Sequence, residues 1–245
     1  MHTNFADSLT ALEEWADREG VDSAALDRIF QGLREGEVRH GGHLQEPAVL
    51  IPGLTSAPWH EPEHFPWIAV LEENYAAIRV EFERQFFGTG LDVHPESQEL
   101  ALAGRWSTYH FFNMGERFVD HLDACPNVSK TLASVPGAEL AGMCYFSAMA
   151  PGTRVKPHCG FINSRIRCHL GIVVPSDCWM RVGTETRTWT EGKCLVFDDS
   201  YEHEVSNNSG RNRAVLLLDT WHPDLSDVER RAIAALLQQW RSDVD

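Results

Sequence analysis

Two histidines, His158 and His203, stand on either side of a run of short apolar segments, and Arg213 opens the next such segment. A neutral imidazole is a good ligand for Fe(II) and other first-row divalent metals. A guanidinium beside buried strand residues needs an anionic partner, and it grips a carboxylate through two parallel hydrogen bonds. The chemistry on offer is metal ligation by two imidazoles, with Arg213 either capturing a carboxylate-bearing ligand or closing an edge salt bridge. The facial arrangement common for catalytic Fe(II) adds one carboxylate to two histidines. Here the position two residues beyond the first histidine is Gly160, which cannot ligate. A carboxylate placed there is expected to reach the metal.

Two further groups are chemically loaded. In Arg165-Ile166-Arg167-Cys168-His169-Leu170, strand alternation places Arg165, Arg167 and His169 on one face and the apolar residues on the other. Such a face suits a cavity that binds carboxylates. Asp198-Asp199-Ser200-Tyr201-Glu202-His203-Glu204 surrounds the second histidine with four acids. Most are expected to be solvated, with Asp199 pointing inward to steady a ligand histidine.

The elements that must position these residues are short strands. Leu170 to Val174, Lys193 to Phe197 and Ala214 to Leu218 are apolar, bounded by Gly, Pro, Asn and Asp, and argue antiparallel β. Trp106 to Phe112 and Gly142 to Ala150 also read as strands, residues 88–104 as loop, and Thr131 to Val135 as a short helix. Phe65 to Phe86 reads as one long amphipathic helix. Two N-terminal helices, ended by Gly20 and Gly36, form a hairpin, and a polar linker occupies residues 37–47. A last helix opens at Ser226, with Glu229 completing a capping box. The expected class is mainly β with flanking helices: a double-stranded β-helix, or cupin-like jelly roll, over residues 46–225, with an accessory hairpin at 1–45 and a packed helix at 226–245.

A net charge of −15 argues against nucleic acid or an anionic membrane as partner. No apolar run is long enough to span a bilayer, and no signal segment precedes the first helix. Cys125, Cys144, Cys159, Cys168, Cys178 and Cys194 show no C-x-x-C pairing and read as reduced thiols, so a cytoplasmic location is expected.

The motifs resemble a known family. Pro151-Gly152-Thr153-x-Val155-x-Pro157-His158-x-Gly160, Arg165-x-Arg167-x-His169-Leu170-Gly171, Phe197-Asp198-Asp199-Ser200-x-Glu202-His203-Glu204-Val205 and Trp221-His222-Pro223 are similar to the aspartyl/asparaginyl β-hydroxylases. The likeness spans residues 47–225, more weakly upstream through Pro52-Gly53-Leu54 and Gly104-Arg105-Trp106, and that family too has glycine where related oxygenases carry a carboxylate ligand. The resemblance implies an Fe(II)/2-oxoglutarate-dependent dioxygenase that hydroxylates an aspartyl- or asparaginyl-like amino acid or peptide residue. It implies His158 and His203 as iron ligands, and Trp106, Ser147, Arg167, His169 and Arg213 as 2-oxoglutarate contacts. Arg165 and Asp199 match substrate-facing positions. The expected cofactors are Fe(II), 2-oxoglutarate and dioxygen. Eukaryotic members carry an anchor and helical repeats that this sequence lacks, so a free amino acid or a short or carrier-bound peptide is as suitable a substrate as a folded domain. Rival readings are a halogenase with chloride at the open iron position and a metal-binding cupin-like module without turnover. A zinc hydrolase would want a third protein ligand that the sequence does not show.

Overall fold

The computed structural model describes residues 4–36, 44–88 and 90–242. Its strands in chain order are β1 (Trp59–His60), β2 (Asp92–Val93), β3 (Ala101–Ala103), β4 (Trp106–Asn113), β5 (Glu116–Arg117), β6 (Met143–Met149) and β7 (Arg154–His158). They continue with β8 (Arg165–Val173), β9 (Cys178–Val182), β10 (Glu185–Arg187), β11 (Cys194–Phe197), β12 (His203–Asn207) and β13 (Arg213–Trp221). The larger sheet runs β1-β11-β8-β13-β6-β4-β2, with β5 against β4; the smaller runs β10-β9-β12-β7-β3. The pairings of these strands are antiparallel. From β6 onward the chain crosses repeatedly between the two sheets. The result is a double-stranded β-helix: β6-β13-β8-β11 on one side faces β7-β12-β9-β10 on the other.

Alternation along β8 and β13 decides what faces where. Ile166, Cys168, Leu170 and Ile172, with Ala214, Leu216 and Leu218, point away from the roll into one apolar cluster. Helices α3 (Ile68–Glu73), α4 (Tyr75–Phe87), α6 (Val119–Ala124) and α7 (Pro126–Leu132) close it from outside through Leu71, Ile78, Phe82 and Val128; α5 (Ser97–Leu100) lies between β2 and β3. The opposite face looks into the roll, where Trp106, Tyr145, Met180, Phe197, Val215 and Leu217 pack. The N-terminal helices α1 (Phe5–Glu19) and α2 (Asp27–Glu35) pack Leu12, Trp15, Ile29 and Leu33 against Ile233, Leu237 and Trp240 of α8 (Asp227–Ser242). Arg28 of α2 pairs with Glu229 of α8, and Ser226 and Glu229 form the capping box read from the sequence.

Several expectations need correction. The helix expected over Phe65 to Phe86 begins only at Ile68 and is interrupted at Asn74, whose side-chain amide donates to Val70 O at 2.8 Å and shares that carbonyl with its own backbone N–H at 3.2 Å. Residues 88–104 are not all loop, because β2, α5 and β3 lie there; strands of two or three residues at sheet edges have too little periodicity to be read. The helix expected at Thr131 to Val135 lies earlier, with Pro126 at its first turn. Of the expected linker, residues 37–43 lie outside the described residues. Residues 44–56 form a strap over the roll, held by bridges Gln45 to Tyr201 and Val49 to Ile162 and by Asn163, which bonds both backbone groups of Ile51. Among the described residues no helix is long and apolar enough to cross a membrane.

Candidate active site

β7 and β12 are neighbours in the smaller sheet, and their register sets His158 directly opposite His203. The two rings lie 4.1 Å apart, centroid to centroid. His158 Nδ1 contacts Lys156 O at 2.8 Å, and His203 Nδ1 contacts Tyr201 O at 2.9 Å. A carbonyl can only accept, so each Nδ1 carries the proton and each Nε2 keeps its lone pair. Burial keeps both rings neutral by lowering their pKa values, with the neighbouring His158 adding to the effect on His203. Two neutral imidazoles side by side, with their tautomers fixed by backbone carbonyls, suit a divalent metal.

A cavity of about 50 Å³ opens beside this pair. Of the nine residues singled out in the sequence, seven line it: Trp106, Ser147, His158, Arg167, His169, His203 and Arg213. Three of these offer unused polar capacity. Arg213 is 2% exposed, and its Nε and Nη2 have no hydrogen-bond partner. Its Nη1 reaches only Met149 Sδ at 3.8 Å, and the guanidinium lies 3.8 Å over the Trp189 ring. Neither nitrogen of His169 has a partner. Ser147 Oγ accepts from Trp106 Nε1 at 3.0 Å, which leaves the hydroxyl proton available. A buried cation without a counter-ion is costly. A ligand carboxylate is the group that would satisfy it.

Arg165 and Asp199 do not line the cavity. They belong to a buried network behind Arg167. Arg167 donates from Nε and Nη2 to the two oxygens of Asp219 at 2.8 and 3.0 Å, and its Nη1 lies 3.1 Å from Asp199 Oδ2. Arg165 Nη2 bonds the same Asp199 oxygen at 3.2 Å, and its Nε lies 3.6 Å from Asp219. Burial opposes every charge here, yet the facing carboxylates hold Arg167 well above its ordinary pKa, and the arginines hold Asp199 low. The carboxylates expected from bound ligands at Arg165 and Arg167 are thus supplied in part by the protein. Sequence reading missed Asp219, which sits directly across from Arg167 on β13. Its signal was alternation from Arg213 within an otherwise apolar strand. Tyr145, Trp189 and Glu96 were missed as well, since nothing in their local sequence marks them as site residues.

The acidic cluster also differs from expectation. Asp198 and Asp199 are both buried, and Asp198 accepts from Ser200 N and Oγ at 2.9 and 2.6 Å. Burial pushes the Asp198 carboxyl up to about 7. Glu202 and Glu204 both pair with Arg181. At Gly160 a Cβ would lie 2.5 Å from Asp199 Cγ. The space where a third protein ligand was expected to fit is therefore filled by a carboxylate already tied to two arginines. Among the described residues no cluster of three His, Cys, Asp or Glu side chains converges to hold a metal. The donor set fits a metal held by two histidines and completed by small ligands.

The family model for aspartyl/asparaginyl β-hydroxylase matches residues 72–223. The chain belongs to that family. It is 36% identical over 193 residues to the human aspartyl/asparaginyl β-hydroxylase, covering 76% of this chain and 25% of that one. It is 32% identical over 235 residues to the rat aspartate β-hydroxylase domain-containing protein 2, covering 91% and 68%. It is 33% identical over 178 residues to the ornithine lipid ester-linked acyl 2-hydroxylase of Rhizobium tropici, covering 69% and 62%. The chain thus spans about a quarter of the human relative's length. A solved 2OG-Fe(II) oxygenase family structure from Burkholderia pseudomallei aligns with a TM-score of 0.42 at 13% identity, covering 60% of this chain and 78% of that one.

Proposed function

We propose that this member of the β-hydroxylase family is an Fe(II)- and 2-oxoglutarate-dependent dioxygenase that hydroxylates an aspartyl- or asparaginyl-like amino acid or peptide residue. One observation carries the reading: an unpaired buried guanidinium, Arg213, shares a cavity with two histidines whose Nε2 lone pairs are free. The balance is R–H + 2-oxoglutarate + O₂ giving R–OH + succinate + CO₂.

His158 and His203 would hold iron through Nε2. Iron with its cosubstrate and dioxygen supplies the oxidising chemistry. The chain supplies position and shielding. Arg213 takes the distal carboxylate of 2-oxoglutarate, and the Ser147 hydroxyl and His169 add hydrogen-bonding capacity in the same cavity. Trp106 is fixed by its bond to Ser147 and by stacking on His94 at 3.5 Å. Met149, Met180, Val155 and Leu217 keep water from the cosubstrate. Arg165 and Asp199 serve by holding Arg167 in place, so their effect on substrate is through that residue. The partner is a small amino acid or peptide substrate, with no role for nucleic acid or membrane. The six cysteines all carry free thiols, in keeping with a cytoplasmic setting.

The test is anaerobic titration of Fe(II) and 2-oxoglutarate, followed by succinate measurement in air. His158→Ala and His203→Ala are expected to bind iron far more weakly and to release no succinate. Iron affinity unchanged in either variant removes that histidine from the site.

A further inference from the structure

Tyr145 lines the cavity beside Ser147 and is 1% exposed. A buried phenol hydroxyl needs hydrogen-bond partners. The structure gives it one, Nε2 of the equally buried His94, at 3.3 Å. The direction of that bond is settled on the other side of the imidazole. His94 Nδ1 accepts from Glu96 N–H at 3.1 Å, so it carries no proton. Burial holds the His94 pKa down to about 3, so the ring is neutral and its one proton sits on Nε2. His94 therefore donates, and the Tyr145 oxygen accepts. The proton of the Tyr145 hydroxyl is left over. Burial pushes the Tyr145 pKa up, so that proton stays in place. Among the described residues it meets no acceptor.

Strand register says which end of the cavity this donor serves. β6 contributes Met149, Ser147, Tyr145 and Met143 to the lining, every second residue along the strand. Met149 stands opposite Arg213, and Ser147 opposite Val215. Tyr145 stands opposite Leu217, which in turn stands opposite His169. Tyr145 is thus two side-chain steps from the Arg213 end, level with His169 and one step from the level of Arg167. The charge that acts most strongly on Tyr145 is that of Arg167. Arg167 turns one N–H of each nitrogen towards Asp219 or Asp199, which leaves one N–H on each Nη. A neutral donor and a charged one therefore share that end of the cavity.

We infer that the Tyr145 hydroxyl, aimed by His94, donates a hydrogen bond to a ligand carboxylate held at the Arg167 end of the cavity. This rests on the oxygenase reading and adds a binding residue to it. Two ligands carry such a group to that end: 2-oxoglutarate, through the carboxylate beside its keto group, and an aspartyl substrate. His94 is a positioning residue. Its bond fixes the phenol oxygen and so the direction of the remaining proton, and its own ring is held by stacking on Trp106 at 3.5 Å, 8° from parallel.

Tyr145→Phe keeps the ring and removes the hydroxyl. Two ligands are titrated calorimetrically without oxygen: 2-oxoglutarate into the Fe(II)-loaded protein, and N-acetylaspartate α-amide into the protein holding Fe(II) and 2-oxoglutarate. The Kd of at least one is expected to rise about ten- to a hundred-fold, as for a lost hydrogen bond to a charged group. The ligand whose Kd rises is the one whose carboxylate Tyr145 holds. His94→Phe keeps a ring against Trp106 and loses the donor to Tyr145. It should weaken the same ligand in the parent and add nothing in the Tyr145→Phe background, whereas a structural role would cost the same in both. The double variant also removes both partners of the buried bond, so it serves where Tyr145→Phe alone, with an orphaned His94 Nε2–H, does not fold. Neither Kd raised in these variants overturns the inference and leaves the oxygenase reading intact, as does an unmoved 2-oxoglutarate Kd in a protein whose parent takes up no aspartate probe. Equal weakening by His94→Phe in both backgrounds overturns the positioning role of His94. A parent that binds no 2-oxoglutarate overturns both the inference and the oxygenase reading.

Discussion

Arg213→Met should make the protein more stable and less able to bind its cosubstrate. Burial pushes the Arg213 guanidinium down to about 9. A shift of that size corresponds, at about 1.4 kcal/mol per pH unit, to a penalty on the order of 5 kcal/mol for the charged form. The sign follows from the depressed value of a base: below pH 9 the folded protein keeps the cation and the whole penalty, which is relieved only as pH rises past 9. At neutral pH methionine removes it. Methionine also loses the stack over Trp189, worth about 1–2 kcal/mol, and packs less well by about 1 kcal/mol. The ligand-free variant should therefore gain about 2–3 kcal/mol, read as roughly 2–4 °C in Tm per kcal/mol for a chain of this size. Ligand works the other way. At a hundred times its Kd, 2-oxoglutarate should stabilise the metal-loaded parent by about 2.7 kcal/mol. Loss of a charge-assisted hydrogen bond weakens binding about ten- to a hundred-fold. At the same concentration the variant's gain then falls to about 0.4–1.4 kcal/mol. Thermal unfolding with Zn(II) or anaerobic Fe(II), with and without 2-oxoglutarate, measures both effects. A variant that is less stable than its parent and keeps the full ligand shift would refute the reasoning and make Arg213 a packing residue.

Three other perturbations test the neighbouring geometry. Gly160→Ala should already lower Tm, and Gly160→Asp should lower it further without creating a third metal ligand, because the new Cβ collides with the Asp199 carboxylate; a Gly160→Ala protein as stable as its parent would sink this. Asp219→Asn breaks the paired bond to Arg167 and should cost about 3–5 kcal/mol in urea unfolding, and a loss below about 1 kcal/mol would show that the network is not coupled to folding. Burial works to raise the Glu229 pKa, but hydrogen bonds from Arg28 and Ser226 hold it down to about 2. Its stabilising effect is therefore complete above the ordinary carboxylate range and is lost as pH falls towards 2. Arg28→Ala should flatten the Tm profile over that acid range, and an unchanged profile would mean the pair between α2 and α8 contributes nothing.

The sequence was most legible where one residue's role follows from its immediate neighbours. Alternation placed Arg165, Arg167 and His169 on one face, and the structure turns that face into the roll, with the even-numbered residues of β8 in the helix-covered cluster. Gly20 and the Ser226 capping box ended and opened helices as read, because caps are local chemistry. Asn74 broke a helix whose apolar spacing runs on past it, since a side-chain hydrogen bond competes with periodicity and leaves no trace in it.

By itself the sequence determined the donor types, their strand alternation and the glycine at position 160. It could not determine their company. His158 and His203 become a pair only because β7 and β12 are neighbours in register, a contact between residues distant in sequence. Arg167 loses its freedom and Arg213 keeps its own for the same kind of reason. Asp219 lies across the sheet from Arg167, whereas no carboxylate approaches Arg213 among the described residues. Electrostatic energy depends on distance and burial in three dimensions, so which arginine is neutralised within the fold and which is left for a ligand was decided by the tertiary structure alone.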